Sequence, residues 1–162
     1  MMMTYDKTKN VSYIESLPYK LGETARISEL MARNFYKNYV EKVCILEIDE
    51  FMILSHICAQ PNLSQSDIAK LLYKGKAHIG KILNEMEQKG YIKRTINTSQ
   101  NMMIKNTFIT KKGQKLYDET NEAFRQLGTN ILNEFSYDEI GEFIRLLDKF
   151  KATILNKYKL NF

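Results

Sequence analysis

The sequence has few of the residues that cross-link or interrupt a chain. Of its 162 residues, two are cysteine, two histidine and two proline. Cys44 and Cys58 are too few for a disulfide framework, and no Cys-x-x-Cys or His-x-x-x-His pair places two metal ligands on one helical face. We therefore expect no metal site and no other cofactor. With only Pro18 and Pro61 as breakers and no Gly/Ser-rich linker, a mostly helical molecule with short connections is favoured.

Other absences narrow the function. No apolar run approaches the length of a membrane span, and the first ten residues lack the apolar segment of a signal peptide, so we expect a cytoplasmic protein with no membrane contact. A phosphate-cradling glycine loop, a nucleophile motif and a carboxylate–histidine arrangement are all missing, which argues against an enzyme. Hydrophobic residues at 44% and charged residues at 27% are ordinary for a globular chain.

Positive charge is concentrated in the middle of the chain. Residues 61–113 carry ten Lys or Arg against three Asp or Glu, whereas residues 1–60 and 114–162 each carry seven against eight. The formal net charge of +5 therefore comes entirely from this central basic block. Such a block is typical of proteins that bind the phosphates of double-stranded DNA.

The basic block also has the pattern of a winged helix-turn-helix. Ser64 and Asp67 form a capping-box variant that opens a short helix, and Gly75 can cap a second helix that ends at Gly90. The second helix has an apolar stripe of Ile79, Ile82, Leu83 and Met86. Two strand-like runs, residues 91–96 and 103–109, then predict a β-hairpin wing.

Long amphipathic helices flank this block. They are predicted over residues 18–43, from Glu47 to Pro61, and from the caps Thr110 and Ser136. Their apolar stripes exceed what a domain this small can cover, so we expect a homodimer. The predicted fold is mainly α (α+β), a winged helix-turn-helix with long N- and C-terminal dimerisation helices. The predicted segments are a flexible N-terminus (1–12), an N-terminal dimerisation helix (13–45), a DNA-binding lobe (46–112) and C-terminal dimerisation helices (113–162).

Candidate DNA contacts follow from this layout. Polar residues at a helix N-terminus suit phosphates, and short or basic residues at the start of a recognition helix suit the major groove. The predicted contacts are Ser64, Gln65, Ser66, Lys74, Lys76, Ala77, His78, Lys81, Lys93, Arg94 and Lys105. The alternatives are that Gln65 and Ser66 only cap a helix, that the lysines form a solvated face, and that His78 lies in solvent.

Three stretches carry a resemblance to a known family. They are Leu63–Ala69, the run from Ile79 to Arg94, and Phe108–Gly113. Together they resemble the multiple-antibiotic-resistance regulator (MarR) family. The resemblance implies a dimeric winged-helix transcription factor, usually a repressor, in which the terminal helices dimerise. It also implies a small aromatic effector, which Phe35, Tyr36, Met52 and His56 could contact.

Two departures from the family pattern matter. The wing position where the family usually shows Asp-Xaa-Arg is occupied by Asn101, Met102 and Met103, so the minor-groove arginine is missing. No cysteine precedes Cys44, so the family's peroxide-sensing mechanism is not carried over. The missing arginine leaves an alternative function open, a winged-helix module that binds another protein as an anti-regulator.

Overall fold

A computed structural model of the protein describes residues 12–35, 37–38, 46–99 and 102–158. The chain divides into two compact units, Met1–Tyr39 and Val40–Phe162. In the first unit a 3₁₀ turn precedes helix α1 (Leu17–Phe35). The predicted start of this helix is confirmed, whereas its predicted continuation over residues 39–43 lies outside the described residues, as does nearly all of the expected flexible N-terminus.

The second unit has the expected winged helix-turn-helix order. Its elements are α2 (Ile48–Ala59), α3 (Gln65–Leu71), α4 (Lys76–Gln88), β1 (Ile92–Ser99), β2 (Met102–Ile109), α5 (Lys111–Leu132) and α6 (Tyr137–Lys157). The predicted caps are confirmed: Thr110 accepts from the backbone N–H of Gly113, and Ser136 forms a capping box with Glu139. Local sequence thus fixes where α5 and α6 begin.

A tight left-handed turn joins α3 to α4. Tyr73 has a φ of +52°, and its N–H donates to the carbonyl of Lys70 at 3.2 Å. The N–H of Lys74 donates to the carbonyl of Ala69 at 3.0 Å. These two bonds form the Schellman pattern that ends helices, here with tyrosine in the place usually taken by glycine. Gly90, with φ +72°, ends α4 in the same way, as predicted.

The wing is longer than the sequence indicated. β1 and β2 pair antiparallel from Ile92 opposite Ile109 to Ser99 opposite Met102, so the first strand extends past the predicted end at Ile96. Alternation of apolar and polar residues stops there, but an antiparallel ladder needs only backbone groups and can continue. The N–H of Thr107 donates to the carbonyl of Leu63 at 3.0 Å, which ties the wing to the start of α3.

The core of the second unit lies between α2, α3, α4 and the start of β1. It is formed by Leu46, Ile53, Leu54, Ile57, Leu63, Ile68, Ala69, Ile79, Leu83, Met86, Tyr91 and Ile92. Ile82 was predicted in the buried stripe of α4 but is only half-buried, because this flank of α4 opens onto a groove beside the first turn of α2.

An aromatic stack joins this core to α5. The ring of Phe51 on α2 stacks on Tyr117 and Phe124, with centroids 5.7 and 5.0 Å apart. Such contacts add to the stabilisation from apolar burial.

Across the described ranges, none of the helices has the length and apolar character needed to cross a bilayer.

Candidate nucleic-acid interface

The N-terminus of α3 is closed by its own side chains. The backbone N–H of Ser64 donates to Asp67 Oδ2 at 3.0 Å, the N–H of Asp67 donates to Ser64 Oγ at 3.2 Å, and the Ser64 hydroxyl donates to the same carboxylate at 2.6 Å. Hydrogen bonds from Ser64 hold the pKa of Asp67 below its ordinary value. The hydroxyl of Ser64, a predicted DNA contact, is therefore engaged in the cap.

Gln65 connects the two helices of the helix-turn-helix. Its Nε2 donates to the carbonyl of Lys76 at 2.9 Å, so its amide lies over the start of α4. A Cβ on Gly80 would lie only 2.7 Å from this Nε2. Gly80, which lacks a Cβ, thus makes room for the Gln65 amide. Gln65 and its neighbour Ser66, both predicted DNA contacts, are half-buried.

The outer face of α4 carries the predicted base-contacting residues. Lys76, Ala77, His78 and Lys81 are all exposed, whereas Ile79, Leu83 and Met86 are buried on the opposite side. Gly75 caps the helix with extended backbone, and residues 76–78 of the first turn of α4 are exposed. This is the geometry of a recognition helix that enters a major groove with its N-terminal residues.

Two adjacent acids of α2 bind cations at opposite ends of α4. Asp49 accepts from Lys74 Nζ, which lies 2.6 Å from both carboxylate oxygens, and its Oδ2 lies 3.4 Å from His78 Nε2. Glu50, which is 2% exposed, accepts from Lys89 Nζ at 2.8 Å. The hydrogen bond to Glu50 raises the pKa of Lys89. The N-terminal turn of α2 therefore fixes the recognition helix at both ends.

A second ion pair fixes the wing to α4. Arg94 Nε donates to Glu87 Oε2 at 2.9 Å, its Nη2 donates to Asn84 Oδ1 at 2.6 Å, and its backbone N–H donates to Glu87 Oε1 at 3.0 Å. The hydrogen bond from Arg94 is the main cause that lowers the pKa of Glu87. Only 12% of the Arg94 side chain is exposed. Arg94 was predicted from sequence as a DNA contact, but in the structure its guanidinium is bound to Glu87 and Asn84 of α4.

The wing presents two further lysines. Lys93 is exposed on β1, with its Nζ 6.0 Å from the centre of the Phe108 ring, and Lys105 is exposed on β2. Asn101, the first residue of the unusual wing motif, lies outside the described residues. In the antiparallel register Lys93 lies opposite Phe108 and Lys105 lies opposite Ile96, so the two lysines extend from opposite faces of the hairpin.

The sequence did not identify the residues that organise this surface. Asp49, Glu50 and Glu87 were not among the residues predicted for this surface. Their partners are 25, 39 and 7 residues away along the chain. Such pairs become visible only after the helices pack, because the sequence signal of an ion pair is limited to helical spacings of three or four residues.

The candidate effector residues are distributed along the chain. Phe35 ends α1 in the first unit, whereas Met52, 43% exposed, and half-buried His56 lie on α2. Tyr36 lies outside the described residues, as does Cys44. The other cysteine, Cys58, is half-buried, and this burial raises the pKa of its thiol, with a further contribution from the charge of Asp118. A raised pKa makes this thiol a poor nucleophile.

Comparison with known proteins agrees with this architecture. A model of the MarR family matches residues 46–100. The HTH-type transcriptional regulator BilQ of Clostridioides difficile (strain CD3) is 26% identical over 139 residues, which cover 86% of this chain and 89% of that protein.

Solved structures show the same fold. S. aureus MepR in complex with DNA superposes with a TM-score of 0.72 at 21% identity, covering 88% of this chain and 99% of that one. The transcriptional regulator BldR from Sulfolobus solfataricus gives a TM-score of 0.74 at 22% identity, covering 89% of this chain and all of that one. The family match, the relative and the winged-helix fold agree with the resemblance seen in the sequence. Residues 46–100 match the MarR family, and the chain is similar to transcriptional regulators of that family, which are not enzymes.

Proposed function

We propose that the chain binds double-stranded DNA as a homodimer on a pseudo-palindromic operator and represses transcription. The observation that carries the proposal is a set of exposed lysines on the outer face of α4 and on the wing, Lys76, Lys81, Lys93 and Lys105. Among the described residues none of them forms an ion pair, whereas Asp67 and Glu87, two of the three acids in the basic block, are engaged by the α3 cap and by Arg94. The lysines therefore remain available to phosphates.

The apolar surface of the C-terminal helices supports the dimer. Phe143, Leu147 and Phe150 of α6 follow one another at helical spacing, and their exposed fractions are 58%, 40% and 36%. Ile131 and Leu132, at the end of α5, are also more than 40% exposed. Exposed apolar patches of this extent mark interaction surfaces. A second copy of the chain would cover them and place two recognition helices about 34 Å apart, one turn of DNA.

The salt dependence of binding tests the proposal. Four lysines in each protomer give eight phosphate contacts per dimer, so the affinity should fall about 10⁴-fold between 50 and 200 mM salt. Duplexes selected from a random pool should share two half-sites related by twofold symmetry. Fluorescence anisotropy on a selected duplex measures the affinity, and analytical ultracentrifugation measures the mass. A flat salt response, or a pool without enrichment, would contradict DNA binding and favour the rival function as a protein-binding module.

Repression and effector control are proposed on the family resemblance. A small aromatic effector would release the operator, with Phe35, Tyr36, Met52 and His56 as the candidate contacts. Titration with aromatic carboxylic acids should raise the melting temperature and weaken operator binding, because a ligand that prefers the non-binding conformation stabilises it. If both quantities stay constant, effector control by this class of molecule is wrong.

Repression itself is tested by a reporter gene placed behind the selected operator, whose expression should fall when the protein is present.

A further inference from the structure

Asp49 engages two groups that were predicted to contact DNA. Lys74 lies in the turn before α4 and His78 in its first turn, and both approach the same carboxylate. The three residues are here called the Asp49 cluster. Asp49 is contributed by α2, which carries no predicted contact to the operator. The cluster therefore joins a residue remote from the recognition helix to the end of that helix that enters the groove.

The contact is partly shielded from solvent. The side chains of Asp49 and Lys74 are 30% and 37% exposed, whereas that of His78 is 55% exposed. Burial raises the pKa of Asp49, but hydrogen bonds from Lys74 and His78 outweigh it, so the pKa lies below the ordinary value. The carboxylate stays charged at neutral pH and holds the Lys74 ammonium with two short contacts.

A carboxylate and a DNA phosphate compete for the same ammonium. While Lys74 is bound to Asp49 it adds little to the sequence-independent attraction that phosphates provide. The contact to His78 has a different consequence, because it restricts the orientation of a side chain at the base-facing end of α4, and base contacts carry the sequence information.

We propose that Asp49 is a specificity-determining residue that acts through Lys74 and His78. It withholds one ammonium from phosphates, which lowers affinity for DNA of any sequence, and it orients His78 for contact with a base. The loss of a phosphate contact lowers both affinities alike, whereas the orientation of His78 increases the ratio of operator binding to non-specific binding. The inference rests on the proposed DNA-binding function and adds a residue outside the recognition helix and the wing.

The experiment compares full-length wild type with Asp49→Asn on a selected operator and on a scrambled duplex of equal length. With one ammonium released per protomer, the salt slope on the scrambled duplex should steepen by about 1.8, so that the loss in affinity between 50 and 200 mM salt grows about twelvefold. Preference for the operator should fall. Asp49→Glu, which keeps the carboxylate, should recover part of the preference.

The matched control is Asp148→Asn. It removes the same charge from another aspartate paired with a lysine, since Lys151 Nζ lies 2.9 Å from Asp148 on α6, and it should leave the slope unchanged. In the double variant Asp49→Asn with Lys74→Gln, the added slope should disappear. A purely structural role for Asp49 would lower the melting temperature and leave the slope and the preference unchanged, which would overturn the proposal.

A second variant keeps the test valid if Asp49→Asn does not fold. Lys74→Gln alone should change the salt slope much less than Lys93→Ala, because only Lys74 is withheld from phosphates. Equal slope changes in these two variants would also overturn the proposal. If the wild-type protein binds no duplex at all, the proposed function fails first, and the inference fails with it.

Discussion

Replacement by alanine of two neighbouring cations of the wing should change two different properties of the protein. Lys93 and Arg94 are adjacent on β1 and carry the same charge, and from sequence both were predicted to contact DNA. In the structure Lys93 is exposed, whereas Arg94 donates to Glu87 and Asn84 and only 12% of its side chain is exposed. We therefore expect Lys93→Ala to affect DNA affinity and Arg94→Ala to affect stability.

The magnitudes follow from the surroundings of each side chain. Loss of one phosphate contact per protomer in Lys93→Ala should reduce the salt slope by about 1.8 for a dimer. Arg94→Ala removes the partner of Glu87, whose side chain is 38% exposed, so water compensates part of the loss. The cost should be about 1–2 kcal/mol, between the values for exposed pairs and for fully buried ones.

Urea unfolding measures the free energy of each variant, and anisotropy titrations from 50 to 200 mM salt measure the slope. Thr95→Ala, at an exposed position on the same strand, is the neutral control and should change neither quantity. The assignment is refuted if Arg94→Ala reduces the slope as much as Lys93→Ala while its unfolding free energy stays at the wild-type value.

Three further predictions concern the frame that holds this surface. Gly113→Ala should destabilise the protein by about 3 kcal/mol or more in thermal unfolding, because the new Cβ would lie 2.1 Å from the carbonyl oxygen of Tyr91. Gly128→Ala on the same helix is the control: its Cβ would meet open space, so the change should be neutral or stabilising by up to about 1 kcal/mol. Phe51→Leu should cost about 1–3 kcal/mol in urea unfolding through loss of two ring stacks. The pKa of Asp67 in the folded protein lies below its ordinary value of 3.8, so the stability from its hydrogen bonds is fully present above pH 3.8 and is lost as the pH falls through the folded pKa. Ser64→Ala should therefore cost about 1 kcal/mol at pH 7 and much less in strong acid.

Elements whose partners are near in sequence could be predicted. The capping pair Ser64 and Asp67 and the caps Thr110 and Ser136 all act within three residues, so the starts of α3, α5 and α6 were placed correctly. Gly90 likewise ends α4 through bonds within one helical turn. In each case the hydrogen bonds close inside one turn of the chain, and residue type and spacing are sufficient to identify them.

Contacts between elements could not be predicted in the same way. Gly80 has the low helix propensity of any glycine, and nothing local shows that Gln65 lies against it. Tyr73 adopts a left-handed conformation that sequence would assign to glycine or asparagine, and the two hydrogen bonds that end α3 hold the turn in this form. These positions depend on how α3 meets α4, and that arrangement is a property of the folded lobe.

The net charge of a segment overstates the number of cations that are available at an interface. The basic block has a large excess of cations, yet Lys74, Lys89 and Arg94 are each bound to a carboxylate in the folded lobe. Two of those carboxylates, Asp49 and Glu50, lie outside the block in sequence and adjacent to it in space. The cations that remain exposed on α4 and the wing are fewer than the block contains. Salt dependence should therefore follow this smaller set of side chains and not the net charge of the segment.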